Sequence, residues 1–222
     1  MFVLTADQKR STQSGDRVPA ALQALSTLGT LSTLGTAPPE GVRLPFERTV
    51  GDEIQGVLST PDAAVWAVTE LVRLGDWRIG IGVGPVEQPL PDSTRAASGP
   101  AFVAARDAVT AAHTSPADLR VRSTVGARDY PSANRARAAE SALWLLVALL
   151  RRRTPEGWEI VQMAGSGLSG REMAARLDIS PSAVSQRLAR AGAHEGRRGA
   201  ELAALLLAEA ETEAQAPSEA GA

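Results

Sequence analysis

The sequence predicts an α+β protein, in which a region of alternating strands and helices is followed by a small all-α domain. Strand-like and helix-like patterns alternate up to about residue 125, and the later apolar stretches follow helical spacing alone. Basic charge is concentrated in the second region. Residues 151–200 contain nine arginines and five acidic residues, although the whole chain carries a net charge of −2.

The chain begins with a strand, a helix and a hairpin. Residues 1–6 are apolar and predict a strand that ends at Asp7. Residues 18–28 carry apolar side chains at helical spacing and predict a helix. Strands are expected at about 42–50 and 53–59, joined by a tight turn.

The hairpin turn concentrates charge. Gly51 and Asp52 stand where a two-residue turn requires a residue that tolerates positive φ. Glu53 follows directly, and Arg48 lies on the incoming strand. A solvated turn is one interpretation, because Asp is common in turns. The other is that the adjacent carboxylates hold a cation or a hydrogen-bonding partner.

A second helix and strand follow the hairpin. Thr60 and Pro61 predict the start of a helix and Gly75 its end. The strand from Trp77 contains glycines that allow close approach of another backbone or a ligand. The resulting order, β-α-β-β-α-β, is that of the ferredoxin-like fold.

The ferredoxin-like order brings two distant aspartates together. Its first and second strands run parallel, with the third strand antiparallel between them. The end of the first strand and the hairpin turn then lie at the same edge of the sheet. We therefore expect Asp7 and Asp52 to lie close together, where two carboxylates can hold Mg²⁺ with the phosphates of a nucleotide.

The most specific motif lies between residues 167 and 192. Ser169 and Glu172 predict a capping box, and Asp178 begins a turn. Ser180 caps the next helix, which begins with proline. This pattern predicts a helix-turn-helix.

The last helix of this motif is expected to enter the major groove of double-stranded DNA. Its serine and glutamine side chains can bond to base edges, and its arginines can contact phosphates. The candidate residues are Ser182, Ser185, Gln186, Arg187 and Arg190. A three-helix bundle used for dimerisation is the alternative, but the coincidence of basic charge with the motif favours DNA binding.

The sequence divides into four parts. Residues 1–125 form the first domain, 126–153 a connecting helix, and 154–210 the helix-turn-helix domain. Residues 200–210 predict an alanine- and leucine-rich helix that packs on the bundle or pairs with a second copy. Residues 211–222 are acidic and predicted to be disordered.

Three segments of the first domain resemble the class III nucleotide cyclase homology domain: Leu4–Asp7, Arg48–Glu53, and Ile79–Val86 with Gly99–Arg106. The complete pattern, including the C-terminal motif, is similar to the SatD family. The resemblance implies that Asp7 and Asp52 are metal ligands. It places Arg48 where the family reads a purine, and Glu53 beside it as a further nucleotide-binding residue.

The sequence also departs from the cyclase pattern. Ala96 stands near the second base-reading position, Val103 replaces an asparagine, and Asp107 replaces an arginine, from which Arg106 is displaced by one residue. In the family, the asparagine and the arginine stabilise charge in the transition state. Losing one such donor typically raises the activation free energy by about 3–4 kcal/mol. We therefore expect no catalytic residues.

The expected function is a DNA-binding transcriptional regulator with a non-catalytic, cyclase-like sensor or dimerisation domain. Its expected partners are DNA, a nucleotide with Mg²⁺, and a second copy of the chain. The alternative is an Mg²⁺-dependent nucleotide cyclase or nucleotidyl-transfer enzyme that uses Asp7 and Asp52.

Composition excludes several other classes. The chain has no cysteine and two histidines, His113 and His194, so thiolate chemistry and cysteine-ligated zinc are excluded. The first residues lack the pattern of a signal peptide. The longest apolar run, residues 142–150, is about half a membrane span. We therefore expect a cytoplasmic protein without a membrane partner.

Overall fold

The computed structural model describes residues 1–11, 15–26, 40–124 and 135–216. Within these ranges, five strands form one sheet and eight α-helices are present, which confirms the α+β class. The strands are β1 (Phe2–Gln8), β2 (Val42–Arg48), β3 (Glu53–Leu58), β4 (Trp77–Val83) and β5 (Leu119–Ser123). The helices are α1 (Val18–Leu25), α2 (Pro61–Leu74), α3 (Pro100–Ala111), α4 (Arg135–Leu150), α5 (Pro155–Gly165), α6 (Gly170–Leu177), α7 (Pro181–Arg190) and α8 (Ala193–Gln215).

The strands are arranged in the order β2-β3-β1-β4-β5. β1 is antiparallel to both of its neighbours, and β2 is antiparallel to β3, so β1 and β2 run parallel with β3 between them. β5 joins the other edge parallel to β4. The C-terminal end of β1 therefore lies beside the β2–β3 turn, where the backbone N–H of Gln8 donates to the carbonyl of Asp52 at 3.3 Å.

Successive residues of β1 face two different layers. Phe2, Leu4 and Ala6 are fully buried in the main core, which also contains residues of α1, α2, α4 and α8. Val3 is buried on the opposite face with residues of α3. Because side chains alternate along a strand, the position of a residue in β1, β3 or β4 decides which layer it meets.

β4 lies very close to α3. A Cβ atom on Gly80 would lie 2.3 Å from the backbone nitrogen of Val109, and one on Gly82 would lie 2.0 Å from the carbonyl oxygen of Ala101. Either side chain would push the helix away from the sheet. These glycines therefore serve the packing of α3 on β4.

α8 is longer than the sequence predicts, and it packs on the helices of the sheet region. It contacts α4 and α2. The prediction of disorder from residue 211 is wrong for 211–215, because the buried stripe of the helix continues to Ala214. The predicted domain boundary at residue 210 falls inside α8, and residues 217–222 lie outside the described ranges. Its buried residues are Gly196, Ala203, Ala204, Leu207, Ala210 and Ala214.

Helices α5, α6 and α7 have an apolar core of their own, which includes Ile160, Met173 and Val184. Ser169 and Glu172 form both hydrogen bonds of the predicted capping box. Caps of this kind contribute about 1 kcal/mol each and fix where a helix begins.

Other helix bounds differ slightly from the predictions. The helix of the predicted connecting segment 126–153 is α4, which within the described ranges runs from Arg135 to Leu150 and so ends three residues early, and α1 ends at Leu25. Residues 27–39 and 125–134, which include part of the predicted connecting segment, lie outside the described ranges. Among the helices that the structure describes, none is long and apolar enough to cross a bilayer.

Candidate functional site

The structure places the predicted metal- and nucleotide-binding residues at one end of the sheet, where β1 and β2 finish and β3 begins. We call this end the sheet rim and define it by Asp7, Arg48, Asp52 and Glu53. Asp7 is the register partner of Glu53 on β3 and of Arg78 on β4. Residues directly opposite each other in an antiparallel pair lie on the same face, which here is the face covered by α3.

On the α3 side, the rim carboxylates are paired with arginines. Arg78 Nη1 donates to Asp7 Oδ2 at 3.1 Å, and Arg106 Nη2 donates to Glu53 Oε1 at 3.3 Å. The hydroxyl of Thr49 also donates to Glu53 at 2.5 Å. The two acidic groups on this side are therefore compensated within the chain.

Arg48 lies on the other face of the sheet. Its register partner is Ile54, which is fully buried in the main core on the α1 side. The guanidinium of Arg48 donates to Asp16 Oδ1 at 2.6 Å, and this bond lowers the pKa of Asp16. Arg48, Asp16 and Asp52 line a shallow pocket of about 380 Å³ together with Gln8.

The predicted nucleotide-binding pair is therefore split between two faces. Arg48 belongs to the α1 side and Glu53 to the α3 side, because Glu53 directly precedes Ile54 along β3. A single small ligand must reach around the end of the sheet to contact both. The sequence could not reveal this division, since the side that each residue faces depends on the register of β2 with β3.

Asp7 and Asp52 lie at the same rim and interact electrostatically. Burial raises the pKa of the Asp7 carboxyl, the hydrogen bond from Arg78 opposes this effect, and the negative charge of Asp52 raises the pKa further. A cation between the two carboxylates would relieve their repulsion. That they share Mg²⁺ stays a prediction.

Asp7 and Asp52 stay the predicted ligands of an ion that is shared with a nucleotide. Within the described ranges, no group of three or more His, Cys, Asp or Glu side chains is placed to hold a metal ion. Mg²⁺ is commonly held by one or two carboxylates and by substrate phosphates, and that Asp7 and Asp52 supply such a pair stays a prediction. Arg78 competes for Asp7, because it already donates to Oδ2.

Helix α7 presents a continuous face to solvent. Ser182, Ser185, Gln186 and Ala189 are exposed and lie at helical spacing, and we call this surface the α7 face. Val184, on the opposite side of the helix, is 1% exposed in the core of the short helices. The predicted base-contacting residues are therefore brought together on one accessible surface.

The arginines around the α7 face differ from those at the rim. Arg171, Arg176 and Arg190 are exposed, and within the part of the chain that the structure describes none lies within 4.0 Å of a carboxylate. Arg187 is half-buried near Glu156, whose pKa is lowered chiefly by a hydrogen bond from Thr154 and further by the charge of Arg187. Arg187 is therefore less available to an outside partner than predicted.

The sequence reasoning missed Arg171 and Arg176. Both lie on α6, within the predicted motif, and both are exposed while Met173 and Ala174 are buried. Because Met173 and Ala174 are the apolar residues of this short helix, the sequence could have indicated that both arginines face away from its buried side. The partners Asp16 and Arg78 were also missed, because they are distant in sequence from the residues that they contact.

The chain matches no protein-family model, and no curated protein or solved structure is significantly similar to it. The resemblances to the SatD family and to the class III cyclase homology domain therefore stay predictions.

Proposed function

We propose that the protein is a DNA-binding transcriptional regulator. In this proposal α5–α7 form a helix-turn-helix domain, and the sheet region is a ferredoxin-like, cyclase-like domain that senses a ligand or mediates dimerisation without catalysis. The observation that carries the proposal is the α7 face, an open helix surface with hydrogen-bonding side chains. Exposed arginines on α7 and on the preceding helix α6 have no carboxylate partner within the described ranges.

The connection between α6 and α7 supports a helix-turn-helix. Leu177 ends α6 and Pro181 begins α7, so three residues join the two helices. Asp178 adopts the left-handed conformation with φ of 51°. α5 packs against both helices. Short turns of this length precede the helix that enters the major groove in helix-turn-helix proteins.

The side chains also suit DNA. Gln186 can bond to the edge of adenine through both ends of its amide, and Ser185 can donate to or accept from a base. Arg171 and Arg190 can approach phosphates without first breaking an ion pair. Neutralising phosphates releases counterions from DNA, which favours binding at low salt.

The sheet region has weak support for a catalytic role. Val103, at the position where the cyclase resemblance requires asparagine, is apolar and 64% exposed. Arg106, the arginine nearest to the expected position, donates to Glu53. An apolar side chain cannot stabilise the negative charge that develops during phosphoryl transfer. A ligand-binding or dimerisation role is therefore favoured.

Fluorescence anisotropy with the full chain tests the proposal. The probe is a labelled duplex from the promoter region of the protein's own gene. Wild type is expected to bind it, and Gln186→Ala combined with Arg190→Ala is expected to weaken binding about tenfold or more. Arg48→Ala is the matched control, because it removes an arginine at the sheet rim and should not change affinity. Equal binding by the double variant and wild type would contradict the proposal.

The second candidate is Mg²⁺-dependent nucleotide cyclisation or nucleotidyl transfer through Asp7 and Asp52. The observation that favours it is their shared position at the sheet rim, where the charge of Asp52 helps to raise the pKa of Asp7. Incubation with ATP or GTP and Mg²⁺ or Mn²⁺ would then give a product that disappears in Asp52→Ala. Absence of turnover in wild type would remove this candidate.

A further inference from the structure

A cavity lies where the short helices meet the sheet region. Its volume is about 660 Å³, which is within the range typical of small-molecule sites. α2 contributes Val65 and Trp66, α5 contributes Val161, α7 contributes Leu188, and α8 completes the wall. We call it the junction cavity. None of its lining residues belongs to the sheet rim or to the α7 face.

Arg153 is the one buried charged residue in the lining. It is 8% exposed, whereas Asp62, Arg197 and Glu201 stand at exposed positions around the cavity. Within the described ranges no carboxylate lies within 4.0 Å of Arg153. Arginine keeps its proton even when burial lowers its pKa, as it does here. The cavity therefore contains a buried positive charge without a counterion.

The hydrogen bonds of Arg153 are incomplete. Nε donates to the carbonyl of Ala191 at 2.8 Å, and Nη2 donates to that of Gly192 at 3.2 Å. The guanidinium also lies over the ring of Trp158, 4.8 Å from its centre. Nη1 is buried and has no hydrogen-bond partner among the described residues. The side chain is thus held in place, with one end of its fork unused.

Trp66 lines the same cavity. Trp66 is 2% exposed, and its indole Nε1 has no hydrogen-bond partner among the described residues. Neither this nitrogen nor Nη1 of Arg153 has more than a trace of accessible surface, so a ligand in the cavity meets the charge of Arg153 and not an open donor. A water molecule can accept a hydrogen bond but leaves the charge of Arg153 uncompensated. A carboxylate supplies acceptors and the missing counter-charge.

We propose that the junction cavity binds a small molecule that has an apolar body and a carboxylate group. The carboxylate compensates the charge of Arg153, and the body packs against Val65, Val161 and Leu188. Because Arg153 also holds the two carbonyls that follow α7, the bound molecule links α2 of the sheet region to the end of α7. The site does not depend on the proposed DNA binding.

Isothermal titration calorimetry of the full chain tests the proposal with octanoate and octylamine as probes. The two have the same apolar chain and opposite charges. Octanoate is expected to bind about tenfold more tightly than octylamine, because only the carboxylate compensates Arg153. Equal affinity for the two probes, or no heat of binding with octanoate, would overturn the proposal.

Variants locate the binding in the cavity. Arg153→Met is expected to weaken octanoate binding about tenfold. Arg176→Met is the matched control, since that arginine is exposed, does not line the cavity and should leave the affinity within about twofold. Ala164→Phe fills the cavity without changing any charge and should abolish binding, which keeps the test decisive if Arg153→Met does not fold. Unchanged octanoate affinity in Ala164→Phe would contradict the proposed site.

Discussion

The sheet rim and the α7 face both have arginines beside other polar side chains, but the arginines differ in whether they are paired with a carboxylate. At the rim, Arg48 and Arg78 each pair with a carboxylate of the same chain. Around the α7 face, Arg171 and Arg190 have no such partner within the described ranges. The number of charged groups therefore does not identify a binding surface. What matters is whether their charge is already compensated within the protein.

The two regions should therefore respond differently to mutation. Removing a rim arginine leaves a carboxylate without its partner, so the free energy of unfolding should fall. Removing an arginine near the α7 face leaves no group unpaired, so stability should persist while affinity for an outside polyanion falls. A pair of variants, one in each region, separates these two effects.

The largest effect is expected from Val184→Asp, which places a carboxylate in the core of the short helices. The free energy of unfolding of that unit should fall by about 3–5 kcal/mol, because the buried charge has no partner. Ser185→Asp is the matched control on the exposed face of the same helix and should change stability by less than about 0.5 kcal/mol. Urea unfolding followed by circular dichroism measures both.

Ser185→Asp should nevertheless weaken DNA binding, because it adds negative charge to the α7 face. If Ser185→Asp destabilised the protein as much as Val184→Asp, the α7 face would be a packed surface. The account of an open face would then be wrong.

A smaller effect is expected from Arg78→Ala. It removes the hydrogen bond to the partly buried Asp7, and the free energy of unfolding should fall by about 1 kcal/mol. Arg190→Ala, which breaks no ion pair, should change it by less than about 0.5 kcal/mol. Chemical denaturation of the two variants beside wild type measures the difference. An equal decrease in the free energy of unfolding for the two variants would contradict the proposed difference between the two regions.

The smallest effect concerns pH. The folded-state pKa of Asp7 is raised above its ordinary value of 3.8, so the folded protein holds this proton more tightly than the unfolded chain. The contribution of Asp7 to the free energy of unfolding should therefore decrease as pH rises from the ordinary value through the folded value.

Asp7→Asn removes this titration and keeps an acceptor for Arg78. The stability of the variant relative to wild type should increase over the same pH window and then level off. Urea unfolding at several pH values from about 3 to 7 measures the relative stability. If the free energy of unfolding of wild type instead increased relative to that of the variant as pH rises, the raised pKa would be contradicted.

The parts of the fold that depend on local sequence could be predicted. Thr60, Ser169 and Ser180 each accept a hydrogen bond at the start of their helix, as the capping patterns indicated. Apolar residues at helical spacing in α2 and α4 are also buried. These features depend on neighbours three or four residues apart, which a single sequence displays.

The features that depend on distant contacts could not be predicted in the same way. The split of Arg48 and Glu53 between two faces follows from strand register, and the pairing of Arg48 with Asp16 follows from how α1 meets the sheet. The extent of α8 is different. Leu207, Ala210 and Ala214 continue one helical stripe into the acidic segment, a signal that its composition obscured.

The central claim is that the uncompensated arginines around the α7 face serve to bind DNA. The salt dependence of DNA affinity tests it most directly. The logarithm of the wild-type binding constant should fall linearly with the logarithm of salt concentration. Arg190→Ala should reduce that slope by about one, while Arg48→Ala should leave it unchanged. A slope near zero for wild type, or the same slope for Arg190→Ala and wild type, would contradict the account.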